Sequence, residues 1–430
     1  MVSEFLAFVQ KAPSAFHAVE EISRILRENG FTALNERDDW QLAAGGRYYV
    51  TRNRSSIIAF ALPQSGLSHF QIVASHSDSP VFKLKPQAED AGKYLRLNTE
   101  RYGGMIMSSW FDRPLSIAGR LLVRVEGRLV TKLVDLGRDA ALIPNMPIHF
   151  NRDVNDGYKY NAQVDTLPLY AQGCEKGRLM SDVAAAAGVK AENVAASDLY
   201  LYSRTAGSIW GADDAFFSCP RIDDLECAWT SLQGFLKADP NGHVNVCAVF
   251  DNEEVGSRSK QGADSSFFGD VLHRIASAMG LSDAQARAAM GHSFMVSADN
   301  AHAVHPNHPE KYDAQNRTYM NEGVVIKHSA NQSYTTDAVS AAVFGDICAA
   351  AGVPVQQFAN RSDTPGGSTL GNLANTHVSM NTVDIGLAQL AMHSAYETAG
   401  MLDVAYMVNA LTAFYAADIR VLEDGVVELG

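Results

Sequence analysis

VNVCAVFDNEE, residues 244–254, decides how the fold is read. Val244–Phe250 is short and apolar enough to be covered on both faces, and it stops at Asp251. It reads as a buried strand whose carboxyl end opens onto acids. FQIVASHSDSP, residues 70–80, repeats the arrangement, with Phe70–Ala74 running straight into His76, Ser77 and Asp78. Ser293–Ser297 does so again, ending at Asp299. Working outward, Ser56–Leu62, Gly323–Lys327 and Val353–Phe358 read as further strands, Asp224–Lys237 as a helix, and Gln389 to Tyr415 as a largely helical close. The opening is helical too: after Pro13, Ser14 can cap a segment in which Val19, Ile22, Ile25 and Leu26 recur at helical spacing until Gly30. Buried strands alternating with helices predict an α/β fold, its mixed sheet flanked by helices.

The middle of the chain has another texture. Leu115–Val125 and Arg128–Val134 flank Glu126-Gly127 as two strands of a tight hairpin. Asp198–Arg204 is a further strand, preceded by an Ala-rich helix near Leu179–Ala187. The simplest organisation is an α/β domain made of residues 1–85 and 215–430, interrupted by a β-rich insertion over 86–214.

Composition excludes several function classes. The 430 residues carry 35 Lys+Arg against 48 Asp+Glu, a net charge of −13, which disfavours a phosphate-tracking nucleic-acid binder and docking on an anionic membrane. No stretch approaches the roughly 20 apolar residues of a membrane helix. Glu4 sits where a secretory signal would want positive charge. Cys174, Cys219, Cys227, Cys247 and Cys348 are scattered and never form CxxC, against a disulfide framework or a thiolate zinc site. A protein of a reducing cytoplasm, with no nucleic-acid or membrane partner, is the expectation.

Familiar catalytic signatures are absent: there is no GxGxxG, Walker A, GxSxG or HExxH sequence. What remains is a set of His, Asp and Glu just past apolar strands, where ligands gather in open α/β sheets. His76 and Asp78, Glu253 and Glu254, and Asp299 follow strands; Asp223 lies just before a helix, and His393 within the last helical segment. Each alone has an ordinary structural reading, a solvated turn for Glu253-Glu254 or a core group for His393. Their coincidence points to a two-metal hydrolase, and an N/O donor set suits Zn²⁺, with Co²⁺ or Mn²⁺ as substitutes.

HSDSP at 76–80, RIDDL at 221–225, FDNEEVGS at 250–257, SADNAHAVHPN at 297–307 and AMHS at 391–394 resemble the M18 metallo-aminopeptidases, the aspartyl aminopeptidase family. Tyr102-Gly103-Gly104, Trp110-Phe111-Asp112-Arg113-Pro114-Leu115 and Pro365-Gly366-Gly367-Ser368-Thr369 add to the likeness, in the family's order. The resemblance implies two Zn²⁺ per subunit, His76, Asp223 and Asp299 holding one and Asp223, Glu254 and His393 the other. Glu253 would be the general base acting on a water between the metals, and Asp78 would accept the N–H of His76. Asp224 stands where the family commonly has an amide, which leaves its role open. The implied activity is removal of N-terminal residues from peptide substrates. Rival readings are a related two-metal amidohydrolase or carboxypeptidase, and a non-catalytic assembly scaffold, for which Glu253 would be superfluous.

The resemblance also implies partners and specificity. Ile143-Pro144-Asn145-Met146-Pro147-Ile148-His149-Phe150 matches a segment of the insertion that pairs subunits, so self-association into a homodimer and then a dodecamer is expected, with His149 reaching the neighbour's active site. Lys327 matches a position near the substrate pocket and would pair with an acidic side chain, its alternative being a solvated lysine. Ser333 replaces an Arg usual in the family, which would broaden that preference. His302, His305 and His308 recur every third residue, but Pro306 and Pro309 break any helix there, so a loop with local hydrogen bonds is expected.

Overall fold

Phe70–His76 and Val244–Phe250 are strands buried along their whole length. They pair in parallel, with Val244 opposite Phe70 and Phe250 opposite His76. The computed structural model describes residues 1–173 and 176–430; Cys174 lies outside the described residues. Nine strands form the main sheet, in the spatial order Thr32–Leu34, Arg47–Arg52, Ser56–Ala61, Val244–Phe250, Phe70–His76, Phe294–Ala298, Asn381–Gly386, Val324–His328 and Val355–Ala359. The central pairs are parallel, while Ser56–Ala61 joins Val244–Phe250 antiparallel and Val324–His328 joins Asn381–Gly386 antiparallel. The sheet is therefore mixed, as the alternating pattern predicts.

Side chains alternate across each strand, and both faces are apolar. Ile57, Ala59, Val73, Cys247, Val249 and Val296 face a layer built from the helices Ala15–Glu28, Ile222–Lys237, Ala338–Ala350 and Asp403–Ala416. Ile58, Phe60, Ile72, Ala74, Val246 and Phe250 face the helices Phe267–Ala278 and Leu370–His377. Two covered faces account for strands that read as continuous apolar runs. Cys219, Cys227, Cys247 and Cys348 are all buried free thiols.

A second sheet of six strands uses residues 81–203, ordered Arg128–Asp135, Leu115–Val125, Val194–Ser203, Val81–Ala91, Tyr94–Tyr102 and Leu169–Gln172. The expected hairpin is present, Val125 pairing with Arg128 across Glu126 and Gly127, both at positive φ.

Two local expectations are overturned. Ser14 stands at the N-cap of Ala15–Glu28, but its hydroxyl pairs with His17 Nδ1 at 2.8 Å and caps no helix N–H; the imidazole one turn on is the nearer partner. The segment from Gln389 is helical only over Asp403–Ala416. Before that, Ala388–Leu390 and Glu397–Gly400 pair antiparallel, and Glu397–Gly400 also pairs with Phe216–Cys219. Alanine, methionine and leucine favour helix only weakly, and here the backbone groups are claimed by a third sheet. His393 thus sits on the turn between two strands, at φ +67°.

Candidate metal centre

The parallel strands deliver their carboxyl ends to one cleft. His76 closes Phe70–His76, Glu253 and Glu254 follow Val244–Phe250, and Asp299 follows Phe294–Ala298. Asp223 adds to them from the mouth of Ile222–Lys237, where its backbone is extended (φ −77°, ψ 110°). His76 Nε2 lies 3.5 Å from Asp223 Oδ1 and 3.9 Å from Asp299 Oδ1. His393 Nε2 lies 3.2 Å from Asp223 Oδ2 and 3.3 Å from Glu254 Oε2. Two donor sets result, His76, Asp223, Asp224 and Asp299 in one and Asp223, Glu254 and His393 in the other, each within 4.8 Å. Asp223 belongs to both, with a different oxygen turned to each.

Loops that meet at the cleft hold these side chains. The Asp78 carboxylate accepts the main-chain N–H of Glu253 (3.1 Å) and Glu254 (3.2 Å) and the Tyr102 hydroxyl (2.6 Å). It therefore joins the His76 loop to the Glu253 loop. His76 Nδ1 lies 3.0 Å from the Asp78 carbonyl and 3.4 Å from its carboxylate, so the main chain of Asp78 joins the expected side chain in orienting the ring. Gly103 has φ +76°, a conformation that L side chains rarely adopt, and a Cβ there would crowd Glu254 Cβ at 3.1 Å. The Gly104 carbonyl accepts from His393 Nδ1 at 2.5 Å, which turns Nε2 toward the acids. Asp224, fully buried, accepts the His76 N–H at 3.0 Å.

Sequence reading misses Glu397. It lies four residues past His393, 1% exposed, and accepts the main-chain N–H of Asp223 (3.1 Å) and of His393 (2.7 Å), one through each oxygen. The available signal is a lone acid in the short stretch Tyr396–Gly400.

Electrostatics test whether metal ions suit these donors. Asp223 Oδ1, Asp224 Oδ1 and Glu254 Oε1 are buried without a hydrogen-bond partner, and buried unpaired polar atoms are costly. Burial opposes the charged form of Asp223, but the His393 and His76 rings outweigh it and hold its carboxyl well below the usual range. Burial, eased by His76 and reinforced by Asp299 and Asp78, pushes Glu253 up to about 8. Burial and the charge of Asp223 likewise raise Glu254. Acids outnumber rings, lone pairs converge, and every donor is N or O. Divalent zinc fits such a set.

A family profile described as aminopeptidase I zinc metalloprotease (M18) matches residues 8–415. The chain belongs to the M18 family. Among relatives, a probable M18 family aminopeptidase 2 of Clostridium acetobutylicum is 45% identical over 422 residues, covering 96% of this chain and 98% of the relative. One of Pseudomonas aeruginosa is 41% identical over 420 residues, covering 95% and 96%. In structure, a chain of the Ape4–Nbr1 complex superposes with a TM-score of 0.93 at 34% identity, covering 96% of this chain and 85% of that one. The S. cerevisiae mApe1 dodecamer gives 0.85 at 27%, covering 96% and 95%. As an M18 member the chain is a metallo-aminopeptidase, an exopeptidase that hydrolyses peptides. The carboxypeptidase, amidohydrolase and scaffold readings fall away.

Other expected residues of this M18 chain stand apart from the donor sets. Lys327 is 2% exposed, and its Nζ donates to the Asp299 carbonyl at 2.8 Å, so the solvated-lysine alternative is wrong. His149 is on an exposed loop, beside Ile148 (54% exposed) and Phe150 (82%). His302, His305 and His308 join none of the metal-donor groups among the described residues. The His305 ring accepts the Asn307 N–H (3.2 Å) and His308 lies 3.4 Å from Glu310, the local bonding expected of that loop. No helix among the described residues is long and apolar enough to cross a membrane.

Proposed function

We propose that this M18 aminopeptidase is a co-catalytic enzyme with two zinc ions per subunit. The observation that carries it is Asp223, whose Oδ1 faces His76 and whose Oδ2 faces His393. A carboxylate is the ligand that two ions ~3.5–4 Å apart can share. His76, Asp223 and Asp299 hold one ion, and Asp223, Glu254 and His393 the other. When bound, zinc supplies a water of lowered pKa and polarises the scissile carbonyl. Glu253, next to Glu254 at the end of Val244–Phe250, takes the proton of the attacking water and returns it to the departing amine.

The finer assignments follow the same cleft. Lys327 pairs with the side-chain carboxylate of an N-terminal Asp or Glu, using an N–H that Asp299 leaves free. Ser333, in place of an Arg usual in the family, widens the tolerated set. The insertion over 86–214 pairs subunits, and His149 completes a neighbour's site by donating to the tetrahedral oxyanion. Supporting this, Asp112 anchors the loop through Asn145, at 3.0 Å to the main-chain N–H and 2.8 Å to the side chain, while Met146, Ile148 and Phe150 stay uncovered within one chain. The dodecameric assembly of mApe1 supports a similar oligomer here.

Hydrolysis of free-amino and N-acetylated peptides, with native enzyme and Glu253→Gln, tests the reading. Native enzyme should cleave only the free-amino set. Glu253→Gln should keep its zinc and lose the ~10²–10⁴-fold typical of a general base. Cleavage of blocked peptides, or near-native turnover by the variant, would refute it.

A further inference from the structure

At the opposite end of the main sheet from the metal centre, two histidines stand where neighbouring parallel strands begin. His69 precedes Phe70–His76 and His243 precedes Val244–Phe250. At about 3.3 Å per residue, the length of a strand separates them from the catalytic cleft by roughly 20 Å. Both rings are buried, and their centroids are 5.1 Å apart. Asp418, between the helix Asp403–Ala416 and the C-terminal hairpin, brings Oδ1 to 3.8 Å from His69 Nε2. One donor atom from each of the three residues lies within 4.8 Å of the others.

Counting protons shows what this cluster lacks. The Ser68 hydroxyl donates to the Gly242 carbonyl at 2.7 Å, so it accepts from His69 Nδ1 at 2.9 Å. With Ser68 turned this way the ring proton is on Nδ1, and Nε2 is a bare lone pair. Among the described residues, Gln71 Oε1 at 3.4 Å and Asp418 Oδ1 at 3.8 Å face it, both acceptors. Gln71 cannot turn to donate, because Oε1 accepts the Ile419 N–H (2.9 Å) and Nε2 donates to the Phe414 carbonyl (2.5 Å). Arg420 binds Asp418 Oδ2 at 2.6 Å, but Oδ1 is buried without a hydrogen bond. His243 repeats the surplus: Nδ1 lies 3.0 Å from the Asn241 carbonyl and Nε2 3.1 Å from that of Tyr415, and a neutral ring has one proton for the two. Protonating both rings would balance the count, yet burial and their mutual repulsion oppose it, with His69 pushed down to about 4.

We propose that His69, His243 and Asp418 form a separate, non-catalytic site for a divalent transition-metal ion. Two imidazole nitrogens and one carboxylate favour Zn²⁺ over Mg²⁺ or Ca²⁺, which prefer oxygen alone. A zinc ion with bonds of about 2.0–2.2 Å draws the three donors inward. It ties the starts of two central strands to the chain that leads into the C-terminal hairpin, where Asp418 already exchanges main-chain hydrogen bonds with Gly430 (3.2 and 3.0 Å). Ser68 and Asn241 are exposed beside it, giving the ion a way in.

The test titrates Zn²⁺ into enzyme with its catalytic metals in place, comparing native protein, Asp418→Asn and the double variant His69→Gln/His243→Gln. Asp418→Asn is isosteric and sits at the rim, so it reads the site even where the double variant misfolds. After gel filtration, native enzyme should hold one more zinc per subunit than Asp418→Asn, and only native enzyme should gain Tm with added Zn²⁺. Peptide hydrolysis should be equal in the two, which separates this site from the catalytic one. Equal zinc content and equal Tm response in native and Asp418→Asn proteins would overturn the proposal. So would native histidines that titrate as imidazolium near neutral pH and exclude zinc.

Discussion

A single carboxylate, Glu397, accepts the main-chain N–H of Asp223 through one oxygen and that of His393 through the other. Gln at this position has one acceptor oxygen, and its amide N–H₂ would oppose the second N–H. Glu397→Gln should weaken zinc retention by the ~10–100-fold typical of lost outer support around a metal ligand, read by competition with a chelator; unchanged affinity would make Glu397 a packing residue only. Lys327 raises a different question, since its ammonium already serves the Asp299 carbonyl. Lys327→Met should lower kcat/KM more for N-terminal Asp or Glu than for Leu or Ala. An equal loss on both classes would mean that the lysine only holds Asp299 in place. Residues that end strands are legible in sequence, because a polar group after an apolar run has one place to go. The Gly104 carbonyl is not, because any residue type possesses that atom, and neither is Glu397, because its carboxylate meets main-chain N–H groups that carry no mark in the sequence.

Elements built from continuous apolar runs are read almost to the residue: Val244–Phe250 is one, and the Leu115–Val125 hairpin turns where Glu126-Gly127 says it must. The turn bearing His393 defeats the same reading. Its composition favours helix, whereas pairing of Ala388–Leu390 with Glu397–Gly400 is a long-range choice that no local window contains. The exposed loop over residues 144–150 poses the complementary case, an element left uncovered within one chain and proposed to meet its partner in a second subunit. His149→Ala should keep its metals and lose most turnover. Co-expressed His149→Ala and Glu253→Ala subunits, each inactive alone, should regain activity when mixed, since one interface can join an intact Glu253 to a partner's intact His149. Purified mixed oligomers as inactive as their parents would confine His149 to its own chain.

Across the whole molecule, the main sheet converts residues far apart in sequence into one acid-rich cleft. Positions 76, 223, 254, 299 and 393 meet because parallel strands share a carboxyl end and the third sheet brings back the His393 turn. The net charge of −13 is consistent with a molecule that concentrates carboxylates where cations are needed. One carboxylate, Asp223, is proposed to serve both ions. Elemental analysis of Asp223→Ala, set beside native enzyme and Glu253→Gln, addresses it most directly. Native enzyme and Glu253→Gln should each hold two zinc ions per subunit, and Asp223→Ala should show weakened retention at both catalytic positions. Two tightly held catalytic zinc ions in Asp223→Ala would contradict it.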